Sequence, residues 1–178
     1  MDDEHARMLL MGCTETGVAV VVKVLRFVSL FLVALIFGLA FCHVMEMPGK
    51  LRLNGREWLV VQQNLYIAFG APIGTGIEVA SILTTWLLVL LVRNRRSALY
   101  WTVAAAVCVS VGLVEWFAVV APINAIFSAW TPGAIPADWT RLRGRWEMGH
   151  AIHAALFGLG FTALVIAVLA ETQNDRSS

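Results

Sequence analysis

The stretch "RWEMGHAIHAALFGLGFTALVIAVLA", Arg145 to Ala170, joins a polar beginning to a long apolar run. The run is close to the roughly 20 residues that an α-helix needs to cross about 30 Å of hydrocarbon. Its beginning places Glu147, His150 and His153 at successive intervals of three residues. These side chains are either a solvated helix end at the membrane surface or part of a site that other helices complete.

Three further apolar runs precede this one in a chain of 178 residues that is 59% hydrophobic and 14% charged. A soluble domain of this length needs more charge to cover its surface. The sequence therefore predicts a single membrane domain over residues 1–178, with spans at about 18–45, 73–92, 98–121 and 145–170. The first run follows an acidic start and is too long for a signal peptide, so we expect it to be retained as a helix.

The connections between the runs are short. "EMPGK", Glu46 to Lys50, is expected to end the first span because proline and glycine interrupt helices. Trp58 to Phe69 has the pattern of a short amphipathic helical segment before span two, and "TPGAIPADW", Thr131 to Trp139, is a Trp- and Pro-containing loop before span four. Short connections favour an all-α, antiparallel four-helix bundle with both termini on one side of the membrane.

Charge gives only a weak signal for orientation and partners. Basic residues are divided almost evenly between the two ends of the predicted bundle, and the tight "RNRR" turn, Arg93 to Arg96, favours cytoplasmic termini in a bacterial inner membrane. The formal net charge of +1 gives no reason to expect nucleic acid. The expected partners are the lipid bilayer, a lipophilic small molecule and, as an open alternative, a second copy of the chain.

Ionisable residues from all four predicted spans fall at one membrane level, opposite the termini. Buried charge at membrane depth is costly and usually faces a bundle interior or a water-filled cavity. The pairs His43/Glu46 and Glu147/His150 have the i,i+3 spacing that shares a helix face. The residues at this level are His43, Glu46, Glu78, Glu115, Asn124, Glu147, His150 and His153.

Three interpretations of this layer remain open. Dimetal carboxylate bundles use a Glu from each of two helices and Glu-x-x-His from the other two, although span one here reads His-x-x-Glu, the reverse order. The metal-ligand candidates are His43, Glu46, Glu78, Glu115, Glu147 and His150. In the second interpretation the layer is a polar pocket without metal. In the third it is a set of helix ends in headgroup water.

The segment "APINAIFSAWTPGAIPADWTRLRGRWEMGH", Ala121 to His150, resembles the anthrone oxygenase-like family of small four-span membrane proteins, most of which have no assigned reaction. The residues that match the family pattern are His43, Pro48, Pro122, Asn124, Trp139, Trp146 and His150. Position 153 departs from it, since many relatives carry Arg there and this chain carries His153. The resemblance implies a four-span fold and, by analogy with a few fungal members, oxidation of anthrones to anthraquinones.

The first functional hypothesis is an oxidoreductase, an oxygenase acting on a lipophilic phenolic or polyketide-like substrate. Such a substrate must lose a C–H proton, and we expect His150 to be the general base with Glu147 orienting its ring. Asn124 and Trp146 are expected to donate hydrogen bonds to the developing oxyanion. If a metal takes part, iron or copper suits the oxygen chemistry.

The second hypothesis is a non-catalytic membrane subunit that binds a lipophile, a quinone or a haem. His43 and His150 lie at one level on two helices and are candidates for axial haem ligands. The chain has no C-x-x-C-H motif, so any haem would be bound without covalent attachment.

Overall fold

The computed structural model describes the backbone of residues 3–66, 69–70 and 72–177, and the side chains of residues 17–66, 69–70 and 72–171. Within these ranges the regular elements are helices, with one isolated bridge between Thr131 and Ala134. They run in the order α1 (Asp3–Lys50), α2 (Gly55–Leu65), α3 (Ile73–Leu91), α4 (Arg96–Glu115), a π-helical turn (Trp116–Val120), α5 (Ala121–Ala129) and α6 (Trp139–Ser177).

Among the described residues, four helical stretches are long and apolar enough to cross a membrane. They are Gly17–Lys50, Ile73–Leu91, Arg96–Ala129 and Trp139–Glu171, with mean hydropathies between 1.7 and 2.5. Large apolar side chains point outward from them: Phe27 is 70% exposed and Val114 is 67% exposed. An apolar surface of this kind suits hydrocarbon and not water. The prediction of an all-α, four-span membrane bundle is confirmed.

The long helices form a closed ring. α6 packs against α1 and α4, and α3 completes the ring against the same two helices. Arg26 of α1 pairs with Glu171 of α6 near one end, which we call the proximal end. Lys50 and Glu147 of the same two helices pair near the other, distal, end. α1 and α6 are therefore antiparallel, and a buried apolar core including Val33, Leu88, Val109 and Phe157 fills the space between the two ends.

The predicted amphipathic segment is present as α2, which begins three residues before Trp58. Asn54 caps it: the Glu57 backbone N–H donates to Asn54 Oδ1, and the Asn54 backbone N–H donates to the Glu57 carboxylate, both at 3.0 Å. Trp58 and Leu59 are fully buried in a second apolar cluster that includes Phe127 and Trp146. α2 ends at Leu65, and residues 67–68 of the predicted segment lie outside the described residues.

Pro48 does not end α1, contrary to the expectation from "EMPGK". The helix continues to Lys50 with Pro48 inside it. A proline removes only its own N–H from the ladder, and the Leu51 N–H still donates to the Met47 carbonyl at 2.9 Å. The extra helical residues matter for the site, because they keep Lys50 one turn after Glu46 on the inward face of α1.

Two other boundaries differ from the sequence prediction. The predicted span four begins near Arg145, whereas α6 begins at Trp139 and continues without a break. Leu142 is buried in the same apolar cluster as Phe127 and Trp146, and Arg143 lies over the Trp139 ring at 4.6 Å, so this first part of α6 is packed against its neighbours. The predicted span three ends at Ala121, whereas the helical path continues through the π-helical turn to Ala129.

Candidate functional site

A cavity of about 930 Å³ lies at the distal end of the bundle, among α1, α2, α3, α5 and α6. Aromatic rings form much of its wall, among them Tyr66, Trp116 and Trp146. Polar groups interrupt the aromatic wall; they include Gln62, Glu78, Asn124 and three imidazoles, His43, His150 and His153. Apolar and aromatic side chains with placed polar groups among them are the usual composition of a site for a small organic ligand.

Helical spacing explains why α1 and α6 present these side chains together. The α1 wall consists of Ile36, Leu39, Ala40 and His43, and the α6 wall consists of Trp146, His150 and His153. Residues three, four and seven apart lie on one face of an α-helix. Each helix therefore lines the cavity with a single stripe.

The π-helical turn Trp116–Val120 sets which side chains α4 and α5 present to α6. Glu115 contacts His153 and Asn124 contacts Trp146, so both must face α6. In an uninterrupted α-helix, residues nine apart point in nearly opposite directions, because each residue turns the chain by about 100°. The wider turn reduces this divergence, and Pro122 just after it favours the interruption because proline disrupts a regular ladder.

His43 and His150 form a buried imidazole pair at the centre of the wall. Their ring centroids are 4.1 Å apart, and the Trp146 ring lies 5.1 Å from His43 and 4.2 Å from His150. Neither nitrogen of His150 has a hydrogen-bond partner among the described residues, and Nδ1 of His43 has none either. A buried polar atom without a partner is costly, so these nitrogens are suited to a ligand that supplies the missing bond.

Glu147 pairs with Lys50 and not with His150, contrary to the sequence prediction. Lys50 Nζ lies 3.0 Å from Glu147 Oε2 and 4.7 Å from the centre of the Trp146 ring. Both charged residues are buried, with 4% and 3% of their surface exposed. The i,i+3 spacing puts Glu147 near His150, but the lysine from α1 reaches the carboxylate. Glu147 therefore does not orient the His150 ring in this arrangement.

A second carboxylate, Glu46, extends this polar group along α1. The Tyr66 hydroxyl donates to Glu46 Oε2 at 2.5 Å, and Glu46 Oε2 lies 4.0 Å from both His43 Nδ1 and Lys50 Nζ. Burial and the hydrogen bond to the Glu46 carboxylate raise the pKa of the Tyr66 phenol above its usual range. Tyr66 therefore remains a hydrogen-bond donor at neutral pH.

His153 lies between two carboxylates. Its Nε2 is 3.7 Å from Glu78 Oε1 and its Nδ1 is 3.5 Å from Glu115 Oε2. The prediction that Glu78 and Glu115 point into the bundle agrees with this geometry, and Glu78 lines the cavity. Glu115 reaches the cavity wall only through His153. Sequence reasoning gave His153 no role in either functional hypothesis, whereas in the structure its ring connects α3, α4 and α6.

Trp146 and Asn124 bind each other instead of donating jointly to a ligand. The Trp146 indole N–H donates to Asn124 Oδ1 at 2.7 Å. Indole nitrogen is only a donor, so the orientation of the Asn124 amide is fixed and its NH₂ group is the donor directed away from Trp146. Asn124 lines the cavity, and it remains the candidate for stabilising an oxyanion, whereas Trp146 has already used its single donor.

The six predicted metal ligands do not form one centre. Within the described side chains, no group of three or more His, Cys, Asp and Glu residues lies close enough to hold a metal ion. His43 and Glu46 lie on one side of the cavity, Glu78 and Glu115 flank opposite nitrogens of His153, and Glu147 is bound to Lys50. The dimetal arrangement therefore does not fit these residues.

The histidine pair also does not fit the predicted haem. Axial ligation needs one imidazole on each face of the macrocycle, with metal–nitrogen distances of about 2 Å. The His43 and His150 rings contact each other directly, at a centroid separation of 4.1 Å. No macrocycle fits between rings in this arrangement.

Sequence reasoning missed Lys50, Tyr66 and Gln62 as parts of the site. The expectation that "EMPGK" ends the first span places Lys50 beyond the helix and outside the predicted site. The available signal was its position, four residues after Glu46 and seven after His43, which is the spacing of one helix face. Gln62 lies on α2 and Tyr66 lies just after it, and the sequence does not specify where α2 packs.

The fold and the site together define a class: an integral membrane four-helix bundle with an aromatic and imidazole-lined cavity at one end. Comparison of the chain with family models, with curated proteins and with solved structures finds no match. The functional proposal therefore depends on the geometry of the cavity and on the residues that resemble the anthrone oxygenase-like pattern.

Proposed function

We propose that the protein is a membrane oxidoreductase, an oxygenase that takes a flat, lipophilic phenolic or polyketide-like substrate into the distal cavity. The volume of about 930 Å³ lies in the range of sites for small organic ligands. The flat rings of Trp116, Trp146 and Tyr66 suit an aromatic substrate, which they contact through stacked or edge-on packing. Such a substrate partitions into the bilayer and reaches the cavity from the membrane.

The observation that supports this proposal best is the buried His43/His150 pair with unused ring nitrogens. In the proposed reaction, a nitrogen of His150 accepts a proton from an activated CH₂ group, and the electron pair delocalises onto the neighbouring carbonyl oxygen. The NH₂ group of Asn124 donates to that oxyanion. Dioxygen then accepts electrons from the carbanion and forms a carbon–oxygen bond; overall, CH₂ and O₂ become C=O and H₂O.

A second candidate function is non-catalytic binding of a lipophile, and specifically of a quinone. The feature that favours it is the pair of amide side chains, Gln62 and Asn124, in the wall of the cavity. Their NH₂ groups are suitable donors for quinone carbonyl oxygens, and the aromatic wall suits the ring.

Oxygen uptake by the purified full chain in detergent, with anthrone as the substrate, tests the oxygenase. We expect anthraquinone to form with one O₂ consumed per product. His150→Gln should lower kcat by about 10²- to 10⁴-fold, the usual contribution of a general base. Met148→Leu is the matched control, because Met148 is on the same turn of α6 but is 61% exposed on the opposite face. Metal analysis of the same preparation determines whether iron or copper accompanies activity.

Equal turnover by the wild type and by protein-free detergent would reject the oxygenase. Quenching of tryptophan fluorescence by a quinone, lost in Asn124→Leu but kept in Met148→Leu, would then support the binding protein.

We also propose that the termini are cytoplasmic in a bacterial inner membrane. The support is the "RNRR" turn, which lies at the proximal end with the beginning of α1 and the end of α6. Fusions of alkaline phosphatase at either terminus should be inactive and fusions in the loop before α6 active. The reverse pattern would invert the orientation.

A further inference from the structure

The proximal end of the bundle contains a second cavity, of about 480 Å³, that the proposed function does not use. The cavity is lined by Lys23 and Arg26 of α1, by Arg95 just before α4, by Arg96 at the start of α4 and by Glu171 of α6. Arg26 and Arg95 both pair with Glu171, Arg95 at 2.5 Å. Four cationic side chains thus surround one carboxylate, and the lining formed by the described side chains carries a net positive charge.

The two remaining cations are placed differently from the arginines that bind Glu171. Lys23 and Arg96 are exposed, and no ion pair involves either of them among the described side chains. Glu171 already has two arginine partners and is 8% exposed, so it is not the counter-ion that these two residues face. The cavity therefore has the charge and the donors for an anion with several oxygen atoms, such as a phosphate group.

Apolar side chains continue from the cavity along the membrane-facing surface. Val20, Val24, Phe27 and Phe31 follow one another at intervals of three and four residues on α1, all exposed, and the rings of Phe27 and Phe31 stack at 6.2 Å. Tyr100, one turn after Arg96, is 71% exposed. Lys23 and Arg96 thus each adjoin an apolar surface that a soluble phosphate would not contact and an acyl chain would.

We propose that this cavity binds the phosphate of an anionic phospholipid headgroup, with the acyl chains lying along the exposed face of α1. Lys23 and Arg96 bind the phosphate, and Arg26 and Arg95 maintain the positive wall while holding Glu171. Basic cavities between membrane helices are suited to anionic lipid headgroups. Each Lys or Arg near an anionic lipid surface increases the affinity for it by about fivefold.

The test is native mass spectrometry of the full chain released from mixed vesicles of phosphatidylcholine and phosphatidylglycerol. The wild type should retain phosphatidylglycerol in preference to phosphatidylcholine. Lys23→Gln/Arg96→Gln should weaken this retention on the order of 25-fold. The matched control is Arg52→Gln/Arg56→Gln, which removes the same charge from exposed positions at the distal end and should leave retention unchanged.

Glu171→Gln provides an independent test, because removing the carboxylate makes the cavity more positive. We expect it to increase retention of phosphatidylglycerol, whereas a purely structural role for Glu171 would lower it. Equal retention of the two lipids by the wild type, or equal losses in both double variants, would overturn the proposal. Displacement of the lipid by an equal concentration of inorganic phosphate would also overturn it, since the ligand would then be free phosphate.

Discussion

Lys50 Nζ lies 3.0 Å from Glu147 Oε2, and this ion pair joins the last turn of α1 to the first turns of α6. Both groups are buried among aromatic rings, with Nζ 4.7 Å from the centre of the Trp146 ring. Removing two charges from water is costly, and the cost is offset only while the partners remain together. The packing of the end of α1 against α6 therefore depends on both partners being present.

We expect Lys50→Met and Glu147→Leu each to destabilise the protein by about 3–5 kcal/mol, because each leaves one buried charge without its partner. The double variant should lie much closer to the wild type. Melting temperatures of the three variants in one detergent measure this coupling. If the two single losses simply added in the double variant, the ion pair would not be the interaction that matters.

The imidazole of His153 separates two buried carboxylates, so its removal should be more harmful than removal of either carboxylate charge. His153→Phe leaves Glu78 and Glu115 without the group between them, and we expect a large fall in melting temperature. Glu78→Gln/Glu115→Gln in the same background should restore much of the loss. A triple variant as unstable as His153→Phe would show that packing of the ring, and not charge separation, is its role.

Tyr66 provides a pH-dependent prediction. Burial and the Glu46 carboxylate raise the pKa of its phenol, so the folded chain holds this proton to higher pH than the unfolded chain does. Its contribution to stability is thus fully present below the ordinary tyrosine pKa of about 10 and is lost as pH rises through the raised value.

In Tyr100→Phe, where Tyr66 is the one remaining tyrosine, tyrosinate absorbance should appear only well above pH of about 10. Adding Glu46→Gln should move the midpoint down, because the neighbouring negative charge is gone. A midpoint at the ordinary value in Tyr100→Phe, or no change on adding Glu46→Gln, would contradict the hydrogen bond.

Gly112 allows α4 and α6 to approach closely. A Cβ atom at this position would lie 2.5 Å from Cε2 of Phe157, which is fully buried. Gly112→Ala should therefore destabilise the bundle by about 1–3 kcal/mol, the usual cost of overpacking. Phe157→Leu in addition should relieve the clash. Gly38→Ala is the control, because nothing lies within 4 Å of a Cβ there and the melting temperature should not fall.

The apolar runs were sufficient to predict the fold, because the length of a run that crosses a bilayer follows from the helix rise and the thickness of the hydrocarbon layer. The helix ends were harder, because composition does not reveal that α1 continues past Pro48. Nor does it reveal that α6 begins at Trp139, where Leu142 packs against residues of α2 and α5. For this reason the sequence does not place Lys50 in the site.

The level of the site was predictable, but its pairings were not. An even number of antiparallel crossings puts His43, Glu78, Glu115 and His150 at one height in the membrane. Which neighbours touch depends on the rotation of each helix, and a long lysine from another helix can displace a partner that the spacing favours. For this reason Glu147 pairs with Lys50 and not with His150. His153 likewise contacts Glu78 and Glu115, which no local sequence pattern links to it.

The π-helical turn determines where this part of the chain can lose one residue without a change in helix orientation. Because the turn holds about one residue more than an α-turn, a deletion within Trp116–Val120 would leave the later side chains of α5 facing as they do now. A deletion elsewhere in α4 would rotate all of them by about 100°. Within α4, the π-helical turn and α5, tolerance to single-residue loss should therefore be confined to Trp116–Val120. A shortened chain should also prefer another residue at position 122, where a regular helix would no longer accommodate Pro122.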